Sequence, residues 1–267
     1  MPIAQLDSRA LISVTGPEAK PFLHNLLTQD VETLADGDLR FGALLSPPGR
    51  LLFDLFILGQ PGGVLLDVAA DRRDPLLQRL SMYRLRAKVE IAADDRSVFA
   101  VWPETAKGFL LDPRTPLMGG RLYGAASADA TEADYDAHRL SVGVPDPTTD
   151  APQDKTYPIE ADFDLLNGID FQKGCFVGQE TTSRMKRRGT IKNRMMPLDF
   201  DGPPPPFGAE VLKGELRAGE VLSGRDGSVM ALLRVDRIDG DLTVDGRPVR
   251  LRRPAWMGQE APSSSNA

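Results

Sequence analysis

Three observations predict an α+β fold that closes with a small antiparallel β-barrel. Strand and helix signals interleave through the first two thirds of the chain. From Ala209 to Arg253 they give way to short apolar runs separated by Gly and Asp, with turn signals about every eight to twelve residues, the rhythm of a small barrel. Between these regions lies Gly202-Pro203-Pro204-Pro205-Pro206-Phe207-Gly208, which suits neither a helix nor a central strand and marks a boundary or a stiff loop. The organisation read from this pattern is an α+β region over 1–195, with two interleaved subdomains and a break near 105–130. A barrel over 196–258 and a disordered tail over 259–267 follow.

Each element has its own signal. Leu11 to Val14 is a β-branched and apolar strand candidate. Thr15-Gly16-Pro17-Glu18 has the spacing of a capping box with Pro in the first turn, and Phe22, Leu23, Leu26 and Leu27 follow at helical intervals. Arg40–Leu45 and Leu51–Leu58 read as strands joined by the turn Ser46-Pro47-Pro48-Gly49. Asp71 and Asp74-Pro75 open a second helix that buries Leu76, Leu77 and Leu80. Ala87–Ile91 and Val98–Trp102 are further strands. Thr131–Leu140 reads as a helix, Pro145–Pro158 as a polar loop, and Ile159–Leu166 as a short helix stopped at Asn167-Gly168. In the last part, the apolar runs at Glu210–Leu212, Gly219–Leu222, Val229–Val235, Leu242–Val244 and Pro248–Leu251 are the barrel strands.

Composition excludes several classes of function. With 41% hydrophobic and 26% charged residues, the chain is of ordinary soluble globular type. A net charge of −6 argues against a general nucleic-acid binder. One cysteine excludes a disulfide framework and suits a reducing compartment. The N-terminal residues show no signal-peptide pattern, and the apolar stretches near Leu44 and Leu65 are too short and broken to span a membrane. The expectation is a cytoplasmic protein without a membrane partner.

The chemistry concentrates around that cysteine, in Lys173-Gly174-Cys175-Phe176-Val177-Gly178-Gln179-Glu180. A lone thiol acts as a nucleophile, as a single metal ligand or in a transient cross-link; packed under Phe176 it would be inert. Gly174 and Gly178 permit close approach of the backbone. Residues 180–187 have helical propensity, with Glu180 near the start and Arg184, Lys186 and Arg187 toward the end. A helix N-terminus behind Cys175 and Lys173 two residues before it would both raise the thiolate fraction. Arg184, Lys186, Arg187, Arg188, Lys192 and Arg194 form a run without an acidic residue. It is either a solvated face or a site for the carboxylates of an acidic ligand, a nucleic-acid backbone or an acidic partner protein.

These residues resemble the signature of the YgfZ-type folate-binding proteins. That family takes in the bacterial YgfZ proteins and a mitochondrial iron–sulfur assembly relative, and it is related in fold to the T-protein (aminomethyltransferase) of the glycine cleavage system. The likeness extends over roughly residues 6–255. It includes Phe22–Val31, Gly49-Arg50 with Asp54, Tyr83–Val89, Asp112-Pro113-Arg114, Arg139 with Gly143-Val144-Pro145, and Pro158–Glu160. Phe176 stands where the family commonly has Tyr, which keeps the ring and drops a hydroxyl.

The resemblance implies a three-part arrangement around a central opening, with the barrel last. It implies tetrahydrofolate or a related reduced folate as ligand, and a supporting role in assembling or repairing iron–sulfur clusters rather than ordinary turnover. Cys175 becomes the functional residue and a transient cluster ligand, with Lys173, Gly174, Gly178, Gln179, Glu180 and Arg184 as the rest of its motif. The implied partners are a cluster scaffold, a glutaredoxin-type protein and cluster-dependent client enzymes; direct nucleic-acid binding is not implied. For the folate, Glu160 matches the pterin-binding Glu of T-proteins, a carboxylate suited to adjacent N–H donors; it also reads as a helix N-terminal acid. Arg139, Tyr83 and Trp102 are further candidates for folate contact, or residues of the fold. Two alternatives belong to other classes. One is folate-dependent aminomethyl or one-carbon transfer, with Asp54 as the acid. The other is a tRNA-modification factor, resting on the basic run.

Overall fold

The structure is a computed structural model and describes residues 1–151, 154–189 and 191–258. The tail read as disordered, 259–267, lies outside the described residues.

Two antiparallel sheets and a closed barrel organise the chain. The first sheet has the order β3 (Leu39–Leu45), β4 (Leu51–Gln60), β5 (Gly63–Ala69), β2 (Arg9–Thr15), β6 (Glu90–Asp94). The second has the order β1 (Ile3–Gln5), β7 (Ser97–Val101), β9 (Gly120–Gly124), β8 (Leu110–Leu111). The barrel runs β10 (Asn193–Asp199), β13 (Ser228–Arg234), β12 (Leu216–Arg225), β11 (Glu210–Lys213), β14 (Leu242–Val244), β15 (Arg247–Leu251) and closes by pairing β15 with β10. Closure leaves the barrel no free sheet edge.

The central strands of the first sheet are covered on both faces, so they read as continuous apolar runs rather than as alternating ones. Along β4, Leu55 and Ile57 pack with Ile12, Leu66 and Leu23, while Phe56 packs on the other face with Phe41 and Phe163. Helices α1 (Ala19–His24) and α2 (Arg73–Arg84) cover the first face through Leu23, Leu76 and Leu80. Buried ion pairs tie the two sheets together. Asp67 on β5 receives Arg9 Nε at 2.6 Å and Arg121 of β9 at 2.9 Å, and Arg9 also reaches Asp54 of β4 at 2.9 Å. Each charge is matched, as charge burial demands.

Several expectations are corrected. Thr15 does not cap α1: it ends β2, paired with Gly63 and Glu90, and Glu18 occupies the cap without a side-chain bond. The ladder holds Thr15 extended, and the Glu18 carboxylate instead accepts from the Lys88 amide at 2.8 Å. The strand expected at Ala87–Ile91 starts only at Glu90, because residues 85–89 form a turn beginning at Leu85, whose φ is +45°. Ile159–Leu166 is a series of turns, not a helix; Asp162 and Asn167 adopt φ of +60° and +56°, which interrupts a helical ladder. The 145–158 loop contains a one-turn helix, α4 (Pro147–Asp150). The stretch 105–130 carries β8 and β9, which share a sheet with β7 and β1.

The helix expected at Thr131–Leu140 forms as α3 (Glu132–Val142), with a Thr131–Asp134 capping box and a left-handed Gly143 at its end. All five barrel runs read from the sequence are strands. The first barrel strand, β10, gave no clear signal, because Asn193-Arg194 and Pro197 interrupt its apolar residues.

Candidate functional site

The Cys175 loop is held from both sides. Ahead of it, Thr28 is fully buried and joins three segments: its amide donates to Ala43 O, its hydroxyl donates to Gly168 O at 2.7 Å, and its Oγ1 accepts from Ala43 N at 2.8 Å. Asp170 then turns the chain, its Oδ1 accepting from the amides of Gln172 and Lys173. The Lys173 ammonium donates to the carbonyls of His24, Leu27 and Gln29. Burial pulls its pKa down to about 8 against the pull of Asp30 and Asp170. Phe176 is buried in the core next to Phe41 and Phe163.

Behind the cysteine, Gly178 turns the chain into α5 (Gln179–Arg188) with φ +81°. A Cβ on Gly178 would lie 2.8 Å from both Gly49 Cα and Ser46 O. Only glycine allows this contact, which seats the helix start on the turn between β3 and β4. The result is an exposed thiol on an anchored loop: Cys175 is free and exposed while Phe176, one residue on, is buried.

The sequence assigned Lys173 to the thiol. The structure gives its three hydrogens to backbone carbonyls instead, so it serves as the anchor of the loop. A Lys173→Met chain leaves those carbonyls without a donor, which costs about 1–3 kcal/mol. The expected result is a lower urea midpoint and faster proteolytic nicking near residue 173 than in wild type.

The strand that leaves the β3–β4 turn, β4, lines a cavity of about 510 Å³ through Leu51, Phe53 and Asp54, together with Asp71, Arg72, Thr148, Thr149, Lys155, and Phe207 of the proline-rich loop. Its size suits a small organic ligand. Asp54 is buried, paired with Arg9 and 3.4 Å from Thr148 Oγ1. The nearby Asp146 carboxyl is pushed up from its ordinary value by burial, with Asp54 and Asp150 adding to the effect. Carboxylate, cations and aromatic rings thus meet in one opening.

The other predicted folate contacts are not gathered there. Glu160 accepts from the Tyr157 amide through Oε2 and from Asn193 through Oε1, so it ties a turn to the barrel and is no helix N-terminal acid. Arg139 is buried among Asp136, Asp150 and Ser223. Trp102 packs edge-on to Tyr135 in the core beside the second sheet. Tyr83 packs against the core between the first sheet and its helices and does not line the cavity. Burial and internal bonding make Arg139 and Trp102 part of the fold. The motif residues Gly174, Glu180 and Arg184 are exposed, and Gln179 is half-buried at the first position of α5.

The basic run is also reduced. Arg194 is buried and pairs with Asp162 at 2.7 Å and Asp164 at 3.0 Å, which leaves Arg184, Lys186, Arg187 and Arg188 of α5 and Lys192 exposed. Arg72, Lys155 and Phe207 were not found from sequence. They lie far apart in the chain and follow no periodic pattern, so no local signal marks their convergence. Among the described residues no helix is long and apolar enough to cross a membrane.

Comparison with known proteins adds three findings. The family described as "CAF17, C-terminal beta-barrel domain" matches residues 192–259. The mitochondrial iron–sulfur cluster assembly factor IBA57 of Homo sapiens is 30% identical, with 94% of this chain and 84% of that protein covered. Its Mus musculus counterpart is 31% identical, with 90% and 79% covered. An IBA57 homolog of Mycosarcoma maydis is 31% identical over 76% of this chain, which spans 59% of that longer protein. Among solved structures, the glycine cleavage system aminomethyltransferase T from Bartonella henselae superposes with a TM-score of 0.75 over 93% of this chain and 83% of that one. Its 18% sequence identity makes this a likeness of fold.

Proposed function

The chain belongs to the family of IBA57 iron–sulfur cluster assembly factors, and from that premise we propose that it binds a reduced folate in the Asp54 cavity and presents Cys175 to an iron–sulfur cluster. The observation that supports this reading is the exposed thiol on a loop seated, through Gly178, on the turn that leads directly into β4, the strand whose Leu51, Phe53 and Asp54 line the cavity. The cluster is cargo. Cys175 supplies one thiolate to it, and a scaffold or glutaredoxin-type partner supplies the others.

The cavity residues fit a folate chemically. Asp54 suits the adjacent N–H donors of a pterin edge, Phe53 and Phe207 suit its ring, and Arg72 and Lys155 suit the carboxylates of its tail. Here the folate is a bound cofactor or a sensed ligand. The relatives' names are mitochondrial; a cytoplasmic address for this chain is part of the proposal, and its single cysteine supports only a reducing compartment.

The test is anaerobic titration of tetrahydrofolate into wild type, Asp54→Asn and Cys175→Ser, followed by cluster reconstitution with a scaffold protein. Asp54→Asn is expected to weaken folate binding by roughly 10–100-fold, the worth of a charged hydrogen bond. Cys175→Ser is expected to bind folate normally and form no mixed cluster complex. Equal cluster formation with and without Cys175 defeats the ligand reading.

A second reading, folate-dependent one-carbon transfer, is favoured by the position of Asp54 in the cavity. Formation of methylenetetrahydrofolate from aminomethyl-lipoyl carrier protein, lost in Asp54→Asn, would support it. Against it, both Asp54 oxygens already have partners within the chain, Arg9 at 2.9 Å and Thr148 at 3.4 Å.

A further inference from the structure

The segment Tyr83–Val89 serves neither the cavity nor the cysteine loop, and it carries a backbone outlier. Leu85, which ends α2, has φ +45° and ψ −103°. Left-handed backbone is unfavourable for a leucine, and burial does not offset it, because the side chain is 87% exposed. Met82, three residues earlier on the same side of the helix, is 61% exposed. Such a conformation persists only where its surroundings hold it. Here Arg84 O accepts from the Ala87 amide at 2.7 Å, and the Glu18 carboxylate accepts from the Lys88 amide at 2.8 Å. Gly16 packs so closely that an added Cβ would lie 2.5 Å from Lys88 O. The turn therefore displays its leucine on a rigid mount.

Arg84, Arg86 and Lys88 stand around the two apolar side chains, and all three are exposed. Arg73 and Arg96, on either side in the chain, pair with Asp74 and Asp94. Among the described residues no carboxylate pairs with these three cations. Apolar anchors inside a charged rim are the anatomy of a protein interface, and an unpaired cationic rim selects an acidic partner. A rigid knob gains affinity from a preformed pocket in a folded protein; a lipid surface offers it no shape to match.

This turn and the cysteine loop lie at opposite ends of α1. Glu18 meets Lys88 at one end, and at the other a Cβ on Gly174 would have His24 Nε2 at 3.8 Å. Six helical residues separate them by about 9 Å, so a partner with an ordinary footprint of about 800 Å² covers both.

We propose that Leu85 and Met82, rimmed by Arg84, Arg86 and Lys88, form the docking surface for the acidic face of the protein that brings the cluster. The proposal deepens the reading of this chain as a cluster assembly factor and rests on it. Docking here is non-covalent and independent of the thiol.

The experiment measures the affinity of the full-length chain for the scaffold protein of the reconstitution test, without cluster, at about 50 and 300 mM salt. Wild-type binding is expected to weaken about tenfold or more at the higher salt. Leu85→Gly is expected to bind about 10–100-fold more weakly, yet to melt at or above wild type because glycine accepts the positive φ. Arg84→Glu with Arg86→Glu is expected to weaken binding and to remove its salt dependence. Equal affinity of wild type and Leu85→Gly overturns the proposal, as does a wild type with no affinity for the scaffold. Binding to phosphatidylglycerol vesicles that is lost in Leu85→Gly also overturns it, by assigning the turn to a lipid surface. None of these results touches the thiol reading if reconstitution still requires Cys175. Conversely, docking that needs Leu85 beside cluster formation that does not need Cys175 keeps this surface and defeats the ligand reading.

Discussion

A Cys175→Ser chain is expected to melt within about 1–2 °C of wild type and yet to lose essentially all ability to support cluster-dependent enzymes. The two halves of this result have separate causes. Cys175 is exposed and makes no disulfide. Substitutions at such positions change stability by about 0.5 kcal/mol or less, a shift of a degree or two in a chain of this size. Function is lost because a serine hydroxyl is a poor ligand for soft iron–sulfur centres, and because the described residues hold no second thiol to replace it. The measurement is activity of a cluster-dependent enzyme in a deletion strain carrying wild-type or Cys175→Ser chain, beside melting curves of both purified proteins. Full restoration by Cys175→Ser sinks the assignment. A large fall in melting temperature would recast the cysteine as a residue of the fold.

Gly178→Ala is expected to give the largest stability loss among single-methyl additions in the loop, about 2–5 kcal/mol. Two costs add. An L-residue held at φ +81° is strained by about 1–2 kcal/mol. The new Cβ would meet Gly49 Cα and Ser46 O at 2.8 Å, and since both are backbone atoms the turn itself must move, at about 1–3 kcal/mol. Gly189→Ala is the matched control: φ is +64° but no atom lies within 4 Å of the added carbon, so it carries the strain without the clash. Urea unfolding of the two variants separates the terms. Equal losses would show that the seat of α5 on the β3–β4 turn contributes nothing. Because that turn leads directly into Leu51 of the cavity wall, Gly178→Ala should also weaken folate binding, which Gly189→Ala leaves unchanged.

What the chain reveals locally and what it conceals divides along the range of the interactions. The barrel runs, the helix at Thr131–Leu140, α5 and the Ser46–Gly49 turn were legible because each is decided by neighbours a few residues away. Thr15 shows the limit. Its spacing to Glu18 is that of a capping box, but pairing with Gly63 and Glu90 overrides it. Ile159–Leu166 failed for a related reason: Asp162 and Asn167 take left-handed conformations, while the Glu160 carbonyl accepts from Met195 of the barrel.

By itself, the sequence determined the fold class, the barrel and the family, since periodicity, turn residues and a contiguous signature are written along the chain. Tertiary structure alone decided that Cys175 is exposed over a buried Phe176, that Lys173 anchors the loop, and that Arg139 and Arg194 belong to buried ion pairs. It also brought Asp54, Arg72, Lys155 and Phe207 to one cavity and His24 to the edge of the loop. These outcomes depend on burial and on contacts between residues far apart in the chain. Charge and side-chain type, the properties a sequence displays, do not say which of several partners a group will meet once the sheets close.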